Sequence, residues 1–412
     1  MYRRIILGLL ITGIIFILFL KYIQNKDGDT QRAMLSSFVI LFIFSLLLNW
    51  YMEYIIGWEY GIPGVDLRSF FDAAQALSDG TKITELGPIR FCFEWKLSNV
   101  GYILYVVFIY LIVFIPTIIS VRFSLQLIYM IQIIVAIIAC NNICNFFVKN
   151  EIKQKRYIYL IMILNIGIMQ QSSILMRDIW IVFFISLLMK ECRKKKSSFI
   201  RCLVFIISAF VLRSYSVIIT IPIFIAYGLK KKKLAVICGL SFFAILFVGA
   251  NVINLLADYF SVKWKYDFNY SLKEMFLWVI SPNPINQAKI IRNGSELFYH
   301  SVFGGNCAWV YFLLACWNIA IYPIAIYGIG IKIKKGIDCE FVLWVLAVAN
   351  ILMIYNVFYD GVSEPRHKIM VLYSIIYFIN EATQGKSIKT RIIYGICMIV
   401  LFFAIIVRFI IL

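Results

Sequence analysis

The chain has 412 residues, of which 62% are hydrophobic and 17% aromatic while only 15% are charged, and its mean hydropathy is +0.88. That balance excludes an ordinary soluble domain, and the absence of short alternating segments excludes a closed β-barrel. The formal charge of +19 does not point to nucleic acid, because the cations fall in short runs between hydrophobic stretches.

The reading is an all-α membrane protein, a polytopic bundle of about ten to twelve transmembrane helices, with residues 1–412 as one membrane-embedded domain. Residues 5–20 form the first span; they lack a small-residue cleavage site and run into Lys21, which marks a retained helix and not a signal peptide. Residues 34–56 follow as a second span. A polar loop over 57–101 carries six acidic residues against four basic ones, a balance that says little about its side, since acidic residues contribute little to orientation. Stretches 102–121 and 123–148 read as two further crossings, and counting them leaves the loop in the cytoplasm. The parity reverses if 102–121, which contains Pro116, is re-entrant or lies along the surface.

From residue 149 onward the topology follows from basic runs at 149–156, 190–201, 230–233, 332–335 and 386–391, which the positive-inside rule places in the cytoplasm. Between them the chain must go out and return. Residues 157–189 make a hairpin with its tip at 170–173. Residues 202–229 make a second, with its tip at 212–216 and limbs of roughly 13 residues, short of the ~20 needed for a straight crossing. A third unit carries a long extracytoplasmic loop at 257–307, a fourth turns at 360–368, and a final span covers 392–412. Ten cysteines are scattered through the chain. The close pair Cys140 and Cys144 sits inside a span without a nearby histidine, so neither a zinc site nor a disulfide framework is indicated, and no metal or other cofactor is expected.

The residues that stand out are ionisable groups at the outer tips: Arg177 beside Asp178, Arg213, and Glu364, Arg366, His367 and Lys368. An ionisable group inside a bilayer costs about 2.5 to 3.5 kcal/mol on insertion scales, so it normally faces a partner or a wet cavity. Arginine forks match phosphate oxygens, which suggests an anionic ligand held at the outer face. Simpler roles stand beside that one. Asp66 fits the N-cap of a surface helix whose buried stripe is Phe70, Phe71, Ala74 and Leu77. Arg177 and Asp178 can neutralise each other, Arg213 can snorkel to the headgroups, and His367 can be merely interfacial.

The segment Asp66-Leu-Arg-Ser-Phe-Phe-Asp-Ala-Ala-Gln-Ala-Leu-Ser-Asp-Gly80 resembles the first polar loop of type C membrane glycosyltransferases, through Asp66, Phe70 or Phe71, Ala74, Leu77 and Gly80. Ser172-Ser-Ile-Leu-Met-Arg-Asp-Ile-Trp180, Ser281-Pro-Asn-Pro284 and Gly361-Val-Ser-Glu-Pro-Arg-His-Lys368 are similar to that superfamily and to capsule or O-antigen polymerases. The resemblance implies a bacterial inner-membrane enzyme of surface-polysaccharide synthesis that uses a polyprenyl-phosphate- or diphosphate-linked sugar and a glycan acceptor. Asp66 would be the catalytic base. Arg177, Arg213, Arg366 and His367 would hold the donor phosphate, supported by Asp178, Glu364 and Lys368. The rival expectation is a multi-span transporter or flippase for an anionic or lipid-linked substrate, against which no inverted repeat is visible.

Overall fold

The computed structural model describes residues 2–55, 57–62, 64–82, 100–114, 120–148, 152–259, 308–358 and 365–384. The described residues are mostly helical with no strand among them, so the all-α class holds. Helices α1 (Tyr2–Gln24) and α2 (Gly28–Trp50) form a hairpin. Its turn is set by Asp27, which caps α2 by accepting from the Thr30 backbone N–H at 2.9 Å and the Thr30 hydroxyl at 2.8 Å. A π-helical turn, Tyr51–Ile55, extends α2. Next come α3 (Gly64–Ser78), α4 (Val100–Ile109, prolonged by a π turn at Tyr110–Phe114) and the long α5 (Val121–Phe147). Two short helices, α6 (Ile152–Ile163) and α7 (Ile166–Ser172), lead to α8 (Asp178–Cys192) and α9 (Phe199–Leu212). The remainder comprises α10 (Val217–Ile223, prolonged by a π turn at Phe224–Gly228), α11 (Lys232–Tyr259), α12 (Ala308–Lys335), α13 (Cys339–Phe358) and α14 (Pro365–Thr383).

The basic runs among the described residues collect at one end. Lys26 lies within electrostatic reach of Lys155 and Lys190, Lys332 pairs with Asp338 at 2.9 Å, Lys232 with Glu340 at 2.6 Å and Lys335 with Glu381 at 3.6 Å. The opposite end is built differently. Helix α5 has 27 residues, ~40 Å at 1.5 Å per residue, whereas α8 with 15 and α9 with 14 reach only ~22 Å. The two short helices therefore stop part-way along α5, near Gln132, and leave a step.

Helices α3 and α4 fill that step. The Tyr102 hydroxyl donates to the Ser69 carbonyl at 3.0 Å, Phe70 packs on Tyr102 and Tyr105 with ring centroids 4.8 and 5.2 Å away, and Phe71 packs on Phe114 at 5.5 Å. A Cβ at Gly101 would stand 2.3 Å from the Val211 carbonyl oxygen, so the start of α4 presses on the end of α9. Both ends of α4 thus meet the same neighbourhood, and it does not run to the basic end. Of the expected crossing over 102–121, the described part, 102–114, packs against α3 and α9 and leaves Leu104 and Leu111 exposed. Loop residues 57–82 lie at the end away from the basic runs, where an ion pair between Arg122 and Glu53 also sits.

Several helices expose large apolar side chains, and α2 buries polar groups beside apolar ones. Helix α2 buries Ser37, Ser45 and Asn49 and exposes Val39, Ile40, Ile43 and Leu47; α9 exposes Ile200, Val204 and Ile207. Exposed faces of this kind are unlike those of a helix in water. Among the described residues two helices, Gly28–Ile55 and Val121–Phe147, are long and apolar enough to cross a membrane, and shorter apolar helices include Phe199–Leu212 and Cys339–Ile351. The expected span at 392–412 and nearly all of the loop 257–307 lie outside the described residues.

Two expectations follow from the packing. A Cβ at Gly328 on α12 would stand 1.9 Å from the Phe378 carbonyl oxygen on α14, while Gly330 has nothing within 4 Å. Gly328→Ala should therefore cost about 1–3 kcal/mol by forcing the helices apart, seen as a lower thermal midpoint in detergent, while Gly330→Ala leaves it unchanged. At the basic end, Asp338 is partly desolvated, which would raise its carboxyl, but the Phe341 N–H at 2.8 Å and Lys332 hold it below the ordinary carboxylate value. A depressed carboxylate stabilises the fold above its unfolded value, about 3.9, and that contribution is lost as pH falls through the lower folded value. Because the pair is half-exposed, Asp338→Asn should cost only about 0.5 kcal/mol at pH 7. The difference from the parent should shrink as melts are run at successively lower pH and the carboxylate is protonated in both states.

Candidate functional site

The step between the short helices and α5 holds an irregular segment, residues 173–177, joining α7 to α8. Buried non-helical backbone must find partners for its carbonyl groups, and two amide side chains supply them. Asn49 of α2 donates to the Ser173 carbonyl at 3.1 Å and to the Ser45 carbonyl at 2.7 Å. Gln132 of α5 donates to the Met176 carbonyl at 2.8 Å and to the Tyr105 hydroxyl at 3.2 Å. Within the segment, the Ser172 and Ser173 hydroxyls turn back to the Met169 carbonyl at 3.0 and 2.7 Å, closing the end of α7.

This frame delivers Arg177 and Asp178 to the start of α8, where Arg177 is 9% exposed and Asp178 is 0%. The third charge comes from α9: Arg213, its C-cap, has an extended backbone, and its Nε lies 3.7 Å from Asp178 Oδ1 with the side chain 15% exposed. Three expected residues thus meet, carrying two positive charges and one negative. Each arginine also faces a ring, Arg177 over Phe70 and Arg213 over Tyr215, both 5.9 Å from Cζ to the centroid. Because Asp178 pairs with Arg213, neither neutralisation of Arg177 by Asp178 alone nor snorkelling of Arg213 describes the arrangement.

Phe70 connects this cluster to α3. Asp66 is the third residue of that helix, so the helix starts before it and Asp66 is not the N-cap. The anticipated stripe is present, with Phe70, Phe71 and Ala74 buried. Asp66 lies one helical turn before Phe70, and Phe70 lies against Arg177. Arg366, His367 and Lys368 occupy the first turn of α14, about two turns before Tyr373, which lies within electrostatic reach of Tyr215. Glu364 falls outside the described residues, as does Ser281-Pro-Asn-Pro284. Several buried polar atoms around the step have no hydrogen-bond partner among the described residues: both carboxylate oxygens of Asp178, Oε1 of Gln132 and of Gln171, and the indole nitrogen of Trp180. Such a concentration of unmet capacity at one level is a mark of a ligand-binding or hydrated site.

Gln132, Asn49 and Tyr105 were not anticipated from the sequence. Their signal was an isolated amide or phenol within an apolar helix, a kind of residue that in membrane helices marks structural glue or function.

The charge pair can be tested by a double-mutant cycle. Arg213→Ala should cost about 3 kcal/mol, because it strands a fully buried carboxylate, and adding Asp178→Asn should recover much of the loss. Thermal unfolding of the four proteins measures the coupling, and strict additivity would mean that the two groups do not interact. Neither family models, nor characterised proteins, nor solved structures yield a match to this chain.

Proposed function

We propose that this chain is a multi-span protein of a bacterial inner membrane that transfers or polymerises sugars carried on a polyprenyl phosphate or diphosphate. Membrane embedding is supported by the exposed apolar faces of α2 and α9. Basic runs gathered at one end fit a cytoplasmic face. The observation that carries the functional reading is the contact of Arg177 with Phe70. It brings the helix bearing Asp66 onto the Arg177–Asp178–Arg213 cluster, away from the basic end, where a donor held in the outer leaflet would be met.

In this reading the acceptor hydroxyl attacks the anomeric carbon of the donor sugar and Asp66 takes the hydroxyl proton. The bond from the anomeric carbon to the phosphate oxygen breaks, its electron pair leaves on that oxygen, and the arginines stabilise the added charge. Asp178, unable to accept a phosphate, sets the position of Arg213 through their ion pair. Arg366 and His367 would join from the first turn of α14.

A donor assay tests the proposal. Purified protein given a polyprenyl-diphosphate-linked sugar and an acceptor glycan should release free polyprenyl diphosphate. Asp66→Asn should lower that rate by about 10²-fold or more, the scale of a lost general base, while donor binding persists. Arg177→Lys should lower it as well, by removing the planar fork. Movement of intact donor across a vesicle membrane without release would instead identify a transporter, and an unchanged rate in Asp66→Asn would remove Asp66 from the chemistry.

A further inference from the structure

A second polar space lies at the opposite, basic end, a cavity of about 570 Å³, within the range of small-molecule sites. Its inner wall is aromatic: Phe146 packs edge-on against Tyr227 at 4.7 Å, and Phe147 against Tyr377 at 6.0 Å. Its rim is charged, and the charges do not cancel. Glu340 is held by Lys232 and by the Tyr227 hydroxyl, which donates to it at 2.7 Å. Glu381 pairs with Lys335, and Lys332 is taken by Asp338. That leaves Arg193, which lines the cavity and has no acidic partner among the described residues. Burial alone pulls its guanidinium below the ordinary value, with no carboxylate offsetting the loss of water.

The same cavity is lined by an amide pair. Gln154 donates through Nε2 to Asn380 Oδ1 at 2.8 Å, which leaves Gln154 Oε1 as an acceptor and the Asn380 amide nitrogen as a donor, without partners among the described residues. A guanidinium in want of an anion, a donor and an acceptor side by side, and flat apolar rings together match a particular chemistry. Phosphate oxygens suit the guanidinium fork, and hydroxyls, which both donate and accept, suit the amide pair. From this geometry we infer that the basic-end cavity binds the phosphate ester of a polyol, whether a free sugar phosphate or the glycerol-phosphate headgroup of a lipid. The site is separate from the Arg177 cluster and does not depend on the reaction assigned to it.

Calorimetry on detergent-purified protein with glucose 1-phosphate tests the free source, and native mass spectrometry after purification from phosphatidylglycerol nanodiscs tests the lipid source. Saturable binding of glucose 1-phosphate, or retention of phosphatidylglycerol, supports the proposal when Arg193→Ala weakens it about tenfold or more, the effect of one lost charge-assisted hydrogen bond. Arg193 lies in an exposed connection, so this variant keeps the fold. Asn380→Asp retains the acceptor that holds Gln154 but replaces the free donor with an anion, and should weaken binding further. The proposal is overturned if neither probe binds, if Arg193→Ala binds as well as the parent, or if inorganic phosphate competes as strongly as glucose 1-phosphate, since the polyol would then contribute nothing.

Discussion

The arrangement rests on how buried backbone away from regular helix is satisfied. Residues 173–177 leave α7 and enter α8 in the interior, where no bulk water reaches their carbonyls, and an unpaired group there costs about 1–3 kcal/mol. Asn49 and Gln132 answer two of those carbonyls from α2 and α5. Because both amides sit on long helices that run past the step, they fix the depth at which the segment lies. Arg177 and Asp178 inherit that depth. Without the two amides, the chain would have to carry α8 further or let the segment reach a wet surface, and in either case the charged pair would leave the level of Arg213.

The same step explains why α3 and α4 are where they are. Short helices leave exposed ends, and exposed ends in a membrane-like interior need a cover that brings its own hydrogen bonds. Helix α4 supplies Tyr105 to Gln132, and α3 supplies the Ser69 carbonyl to Tyr102. The cover is therefore tied to the residues it covers. Arg177 under Phe70 belongs to that tie, and a change in the charge of the cluster would be felt by α3, the helix that carries Asp66.

Much of this was legible in the sequence, though unevenly. The all-helical class followed from hydropathy, the basic end from runs of lysine and arginine, and the α3 stripe from the spacing of Phe70, Phe71 and Ala74. Even the shortness of α9 was visible in the distance from Arg201 to Arg213. The packing of 102–114 was not, because the composition of an apolar stretch does not name its partner, and α9 is distant in sequence. Asn49, Gln132 and Tyr105 escaped for a related reason. A single amide among leucines and isoleucines has no periodicity to announce it, and its meaning lies in a carbonyl 124 residues away for Asn49 and 44 away for Gln132.

The two ends of the molecule treat charge in opposite ways, and this bears on how each can bind an anion. At the basic end carboxylates and lysines pair at partly exposed positions, where water screens them and each pair contributes little. An anion arriving there displaces water and finds a surplus cation with little reorganisation. At the Arg177 cluster the charges are already out of water, so the cost of desolvation was met when the protein folded. An anion entering that site gains from a low effective dielectric but must compete with Asp178 for Arg213. Binding there would be slower to form and more selective for a ligand with enough negative charge to outbid a carboxylate. On the reading proposed for this site, a diphosphate would meet that condition better than a single phosphate diester.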